Sequence, residues 1–455
     1  MIGQKRYILL LSVFFNLRRD IVSLLVKDVC SCSFKLRYTY ASSTYLQKMN
    51  DKTGMGWMVP KGVKFGKLDK LQFIANDEKS LDNEKGLVKI ATKAVGLNFA
   101  DVFTVNGLYS AANQIRNGEN FIPGLEFSGV VMEDSSDDGN FNKNDRVLGF
   151  TRFGAYSDIV KVPPVFLKRL PDSWSFAEGA SFIVQALTAW HGLVEIGRMP
   201  RIANKSTEQK PYVVLVHSAS GGVGLWASEI AARRGAVVLG IVGSASKFDI
   251  FNDRIKNLSP SSQVMLRGEE RDFSQRLANK LKEMHSLHDR DSNDSDLSQL
   301  AESGNGVDIV MESLGGKYFT ASFDSLNSGG CLVTFGSTSY VSPGLGLNFF
   351  RLVQRYLTRP KIDPGTLTSR NIRLCGFNLI FLTEKTDDLD RELNECISCL
   401  SGDGDTDELD NMQPPVIGNM FDFRTQAVDA LERLKSGQTI GKVVLENPHN
   451  PLQET

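Results

Sequence analysis

The sequence predicts a doubly wound α/β fold built on a parallel sheet, and three stretches carry that expectation. The first, "VVLVHSASGGVGLWASEIAARRGAVVLGIV" (213–242), reads as strand, glycine-rich turn, helix, glycine and a second strand. The others are "GVDIVMESLGG" (306–316) and "GGCLVTFGSTS" (329–339), each an apolar run closing on a polar or glycine turn. Short β-branched runs without alternation belong to strands buried on both faces, as in parallel sheets covered by helices.

The turn of the first stretch is the most informative element. Ala219-Ser220-Gly221-Gly222-Val223-Gly224 keeps the G-x-G-x-x-G spacing with alanine in the first place. At such a turn Gly221 lets backbone approach a pyrophosphate, and Gly224 lets helix pack closely on strand. The helix that follows points its N-terminal amides at the phosphates. The spacing alone is weak, but here it follows a strand and opens a helix that a second strand answers. An acidic residue that grips a ribose 2′-hydroxyl belongs about twenty residues further on. That window reads Leu239-Gly240-Ile241-Val242-Gly243, and Ser244, Ser246 and Lys247 follow. A carboxylate repels a 2′-phosphate, whereas a hydroxyl and an ammonium attract one. The expected cofactor is therefore NADPH rather than NADH.

Elsewhere the chain reads as an ordinary globular protein. Its 455 residues are 41% hydrophobic with a formal charge of −1, a balance that points to no nucleic-acid partner. Six cysteines are too sparse for a disulfide scaffold. Cys396 and Cys399 form a lone CxxC with helical spacing, read as structural thiols because no second pair follows. The first fifty residues differ, with eight Lys or Arg against two Asp and an apolar run from Tyr7 to Leu17. That run is too short to span a bilayer. An organelle transit peptide, a signal peptide and an upstream extension before Met49 all fit such a segment, so the expected compartment is cytoplasmic or mitochondrial. Three polar tracts, 198–211, 288–306 and 401–415, read as surface insertions.

Seven motifs carry a family likeness: "AVGLNFADVFTVNGLY", "IPGLEFSGVV", "NDRVLGF", "GAYSDIVKV", "SFIVQALTAW", "VLVHSASGGVG" and "VTFGSTS". In this order they resemble medium-chain dehydrogenase/reductases of the zinc-independent quinone oxidoreductase type. "RPKIDPGTLTSRNIRLCGFNL" and "TIGKVVL" look most like the vesicle amine transport protein 1-like branch. The resemblance implies an extension at 1–55, a GroES-like β-rich catalytic domain at 56–175 and a Rossmann domain at 176–380 with a polar insertion at 283–305. Residues 381–455 then return to the catalytic domain, and a homodimer is implied. Zinc-dependent members place cysteine where this chain has Asn98 and histidine where it has Leu125, so no metal site is expected.

Without a metal, the chemistry implied is hydride delivery from NADPH to a quinone or an α,β-unsaturated carbonyl. The protein orients the reactants, excludes water and stabilises oxyanion charge. Asn98, Asp101 and Tyr109 match the family's catalytic cleft. Asn98 is placed to meet the carboxamide or the substrate oxygen, Asp101 rather to hold a loop or its neighbours in place, and Tyr109 to donate or to pack over a flat ring. Cofactor contacts carry over to Thr188, Gly221, Gly222, Val223, Ser244, Lys247, Phe335, Gly336, Ser337 and Asn378, with Arg267 as a further phosphate partner. Phe103 and Val105 replace a tyrosine and a basic residue of some quinone reductases, which makes the pocket more apolar. His191 and His217 read as structural. Two other readings stand beside this one: an enoyl-thioester reductase, and a nucleotide-binding vesicle-, lipid- or RNA-associated protein with little turnover.

Overall fold

A computed structural model describes residues 54–62, 68–76, 86–116, 119–134, 141–201, 210–285, 297–336, 357–402 and 409–448. The basic N-terminal extension, the centres of the three polar tracts and Ser337 lie outside these residues. Among the described residues no helix is long and apolar enough to cross a membrane.

The N-terminal part supplies β1 (Gly54–Met58), β2 (Gln72–Asn76), β3 (Val88–Gly96), β4 (Glu126–Val131), β5 (Arg146–Phe150), β6 (Ile159–Val162) and β7 (Leu167–Arg169). The helix α1 (Phe99–Val105) follows β3. Next come α2 (Ile183–Trp190), β8 (Val213–His217), α3 (Gly222–Arg233), β9 (Val237–Val242), α4 (Phe248–Ile255), β10 (Gln263–Leu266) and α5 (Phe273–His285). The chain continues through β11 (Val307–Glu312), β12 (Leu326–Thr334), β13 (Arg373–Gly376) and α6 (Thr386–Ser401). It ends with β14 (Ile417–Asp422), α7 (Ala427–Lys435) and β15 (Lys442–Glu446).

β8 to β13 form a six-stranded sheet in the order β10-β9-β8-β11-β12-β13, with every pair parallel. The chain thus runs outward from β8 to β10 and then crosses back to β11. That reversal between β8 and β11 is the switch point where such sheets bind ligands, beyond the strands' carboxyl ends. Helical layers cover both faces, and β8 shows why its sequence lacks polar alternation. Val214 and Val216 enter one core with Ala227 and Ile230 of α3, while Val213 and Leu215 enter another with Leu277 and Leu281 of α5.

The second sheet has seven strands, ordered β14-β15-β3-β4-β5-β7 with β6 on β3. Its pairs are antiparallel apart from β14 on β15, so the last strands of the chain complete the sheet begun by the first. That closure brings 434–443 to the mouth of the parallel sheet. Gly441 N–H donates to Ser220 O at 2.8 Å, which joins the chain end directly to the glycine turn.

The CxxC lies on α6, packed against α2 and α3. Cys396 is buried and its thiol meets Ala186 O at 3.8 Å, and burial pushes both Cys396 and Cys399 up in pKa. Such thiols stay protonated and pack. His191 Nδ1 sits 2.9 Å from Glu392 Oε2 under the Phe377 ring, a structural pairing of α2's end with α6. His217 contacts Ser322 Oγ at 2.7 Å through Nε2, and burial holds its pKa down to about 3. It is neutral and structural.

Candidate active site

A cleft of about 610 Å³ opens between the two sheets, over the carboxyl ends of β8, β9 and β11. Gly221, Gly222, Val223 and Gly224 line one wall, and Ser436, Gly437, Thr439 and Gly441 of the chain end face them. Ser218 begins the turn in left-handed backbone, φ +54°, where a non-glycine residue is uncommon. Ala219 N–H donates to Ile241 O at 3.0 Å, so the turn is tied to the end of β9. No side chain caps α3. Its first-turn amides and dipole therefore face the cleft, the arrangement that favours phosphate.

The three glycines do different work. A Cβ on Gly224 would meet Ser218 O at 2.2 Å and Ala219 Cα at 2.7 Å, so the helix can approach the turn this closely only with glycine there. On Gly222 it would meet the Gln185 amide at about 2.0 Å, a contact the sequence reading missed. On Gly221 the nearest atom would be Ser218 O at 3.2 Å, so that position is open toward the cleft.

Toward the end of β9 the cleft is cationic. Lys247 is 7% exposed and donates to Thr439 O at 2.7 Å and Gly437 O at 3.3 Å. Burial lowers its pKa, and the nearby Arg267 and Arg433 lower it further. Arg267 lies over the Tyr318 ring at 5.9 Å and reaches toward Gly243. No ion pair joins Lys247 or Arg267 to a carboxylate among the described residues, although Glu269 and Glu270 stand at the rim beyond Arg267. Ser244 holds Ser246 at 2.9 Å, oxygen to oxygen, beside but not on the cleft wall.

At the opposite end Leu97, Asn98 and Phe99 close the floor with Gln185 and Val443. Asn98 is the N-cap of α1; its backbone N–H donates to the Asp101 carboxylate at 2.8 Å and its backbone oxygen accepts from Asp101 N–H at 2.8 Å, while its side chain makes no capping hydrogen bond. Its Nδ2 donates to Glu126 Oε1 at 2.9 Å and Gly96 O at 3.3 Å, and its Oδ1 accepts from Lys442 Nζ at 2.9 Å. Lys442 also pairs with Glu126. Glu126 and Lys442 were not found in the sequence reading. The legible signal was a lysine inside the apolar strand "KVVLE".

Most of the remaining positions sit apart from this cleft. Asp101 is wholly buried and accepts from Asn98 N–H at 2.8 Å and from Tyr156 OH at 3.4 Å, a structural placement. Thr188 turns its hydroxyl onto Val184 O at 2.6 Å, within its own helix. Tyr109 donates to Asn378 Oδ1 at 2.8 Å and packs edge-on against Phe153, so these two form one cluster of their own. Burial raises the Tyr109 pKa, which keeps the phenol protonated and able to donate. Phe335 lines the cleft and Gly336 lies beside Ser313.

Burial pushes the Asp101 carboxyl from 3.8 up to about 7. The native state then holds more protons than the unfolded one between these values, so stability falls as pH rises from about 4 to about 7. At about 1.4 kcal/mol per pH unit the loss has an upper bound of about 4 kcal/mol. Asp101→Asn keeps an acceptor for Asn98 N–H without the buried charge. Its melting temperature at pH 8 is expected to exceed that of the unsubstituted protein, with a flatter profile below pH 7. Parallel profiles of the two proteins would remove this assignment.

Comparison with known proteins agrees with the two-sheet plan. Residues 84–172 match the alcohol dehydrogenase GroES-like domain and 281–445 match the zinc-binding dehydrogenase family. The rat synaptic vesicle membrane protein VAT-1 homolog is 25% identical over 84% of this chain and 82% of its own length. For the zebrafish homolog the figures are 25%, 82% and 66%. A Penicillium soppii highly reducing polyketide synthase is 28% identical over 82% of this chain, which corresponds to 12% of the synthase. The crystal structure of the human VAT-1 homolog-like protein superposes with a TM-score of 0.61 at 22% identity, covering 88% of this chain and all of the other. A mycobacterial structure complexed with NADPH gives 0.62 at 22% identity, over 86% of this chain and 99% of the other. The matched modules together cover more than half of the chain, the first holding β3 to β7 and the second β11 to β13 of the parallel sheet, and the chain belongs to the medium-chain dehydrogenase/reductase superfamily of oxidoreductases.

Proposed function

We propose that this protein is an NADPH-dependent, zinc-independent reductase of quinones or α,β-unsaturated carbonyls. The observation that carries the reading is the pair Lys247 and Arg267, cations that no carboxylate among the described residues pairs with, beside an uncapped helix at a glycine turn. NADPH bound there supplies the hydride. Gly221 and the first amides of α3 hold its pyrophosphate, Lys247 and Arg267 its 2′-phosphate, and Asn98 stands at the nicotinamide end. Phe335 and Leu97 exclude water from that end. The Tyr109 phenol, which donates to Asn378, is a donor in reserve for a substrate oxygen.

Zinc does not fit the position. An amide at Asn98 and an alkyl group at Leu125 are poor ligands, and the Asn98 oxygen already faces the Lys442 ammonium. An enoyl-thioester substrate is the second reading. It is favoured by the match to polyketide synthases and by the fold shared with the CurK enoyl reductase, which gives a TM-score of 0.63 at 21% identity. A homodimer through the nucleotide sheets and a cytoplasmic or mitochondrial site complete the proposal.

The test is NADPH oxidation against 9,10-phenanthrenequinone, an enone and a crotonyl thioester, with zinc measured in the same sample. Turnover of the quinone or enone at substoichiometric zinc is expected. Turnover of the thioester alone transfers the reading to the second, and NADPH binding with no turnover makes the protein a nucleotide-binding member of the family.

A further inference from the structure

Lys442 stands in β15 between Gly441 and Val443, two residues of the cleft wall, and is 1% exposed. Its ammonium donates to Asn98 Oδ1 at 2.9 Å and to the Glu126 carboxylate. Gln185 satisfies both of its neighbours with its oxygen toward Lys442, accepting from Nζ at 3.0 Å while its nitrogen donates to Ser181 O at 3.2 Å. All three ammonium protons are thereby used. Glu126 neutralises the charge and takes a further bond from Val184 N–H at 3.2 Å.

A side-chain amide has nearly the same shape in either orientation, so its chemistry depends on what holds its far end. An ammonium has no lone pair, and only an oxygen can face it. Asn98 is therefore oriented without ambiguity. Both protons of its Nδ2 go to Glu126 and Gly96, and one lone pair remains on Oδ1. It can accept from the cleft but cannot donate into it. Gln185, held the same way, turns its nitrogen side away from Lys442 beside Gly222.

We propose that Lys442 is a positioning residue that orients Asn98 and Gln185 so that the cleft floor accepts a carboxamide N–H. Asn98 then recognises the nicotinamide amide of the cofactor and gives no hydrogen bond to a substrate oxyanion. This rests on the NADPH reading above and deepens it, because it separates recognition of the two halves of the dinucleotide. The adenosine phosphates belong to Lys247 and Arg267, and the nicotinamide amide belongs to the floor that Lys442 sets.

Calorimetric titration with NADPH and with adenosine 2′,5′-bisphosphate, which lacks nicotinamide, tests the assignment. Lys442→Met is expected to weaken NADPH by about tenfold or more, the effect of one misdirected hydrogen bond, and to leave the bisphosphate within about twofold. Because that variant strands the Glu126 charge, the double variant Glu126→Gln/Lys442→Met is measured too; it leaves no unpaired buried ion and should show the same split. Unchanged NADPH affinity in both variants overturns the proposal. Equal losses of both ligands also overturn it, since a merely structural lysine gives that result. If the unsubstituted protein takes up neither ligand, the NADPH reading itself has failed.

Discussion

Lys247→Ala is expected to weaken NADPH binding by about ten- to a hundredfold relative to its effect on NADH, the range for a lost charge-assisted hydrogen bond. The ratio matters more than either value. Lys247 also holds the carbonyls of Gly437 and Thr439, so its loss loosens the chain-end loop for both cofactors. Only the 2′-phosphate adds a term that NADH lacks. Lowered by burial and by the neighbouring Arg267 and Arg433, the lysine gains from any anion placed among these three cations. Titrations of both nucleotides, with Arg267→Ala as a companion, measure the ratio. An equal loss for NADPH and NADH would leave Lys247 as a loop tether and nothing more.

The glycines of the turn should separate folding from binding. Gly224→Ala places its methyl 2.2 Å from Ser218 O, a backbone atom that cannot swing aside. Helix α3 must then shift from β8, at a cost of about 1–3 kcal/mol for overpacking. A fall of several degrees in melting temperature is expected, with weaker NADPH binding as the first turn moves. Gly221→Ala should behave differently. Its backbone, φ −85° and ψ 171°, suits alanine, and the methyl would meet only Ser218 O at 3.2 Å. The melting temperature should change little, while the methyl occupies the space assigned to a pyrophosphate and NADPH affinity falls by more than tenfold. Equal melting losses in the two variants would contradict this division.

What could be read in advance follows the range of the interactions involved. The strand, turn and helix at 213–233 were legible because consecutive residues decide them through burial, glycine backbone freedom and capping. The chemistry of Asn98 was not legible, since its orientation is set by Lys442, 344 residues away. Tyr109 and Asn378 were both singled out, for different roles, yet they bond to each other across 269 residues. Thr188 carried a cofactor expectation, but its nearest acceptor is the carbonyl one helical turn back. Local geometry claims such a hydroxyl before any ligand can.

By itself the sequence determined the family, the parallel sheet, the glycine turn and the absence of an acid at the end of β9, all of them properties of short segments. Tertiary structure alone decided that the chain end crosses to the cleft mouth, that Lys247 bridges the two sheets and that a buried lysine orients the floor. The physical reason is burial. Inside the protein a charge or an amide must find its partner wherever the fold brings one, and no spacing along the chain records that distance.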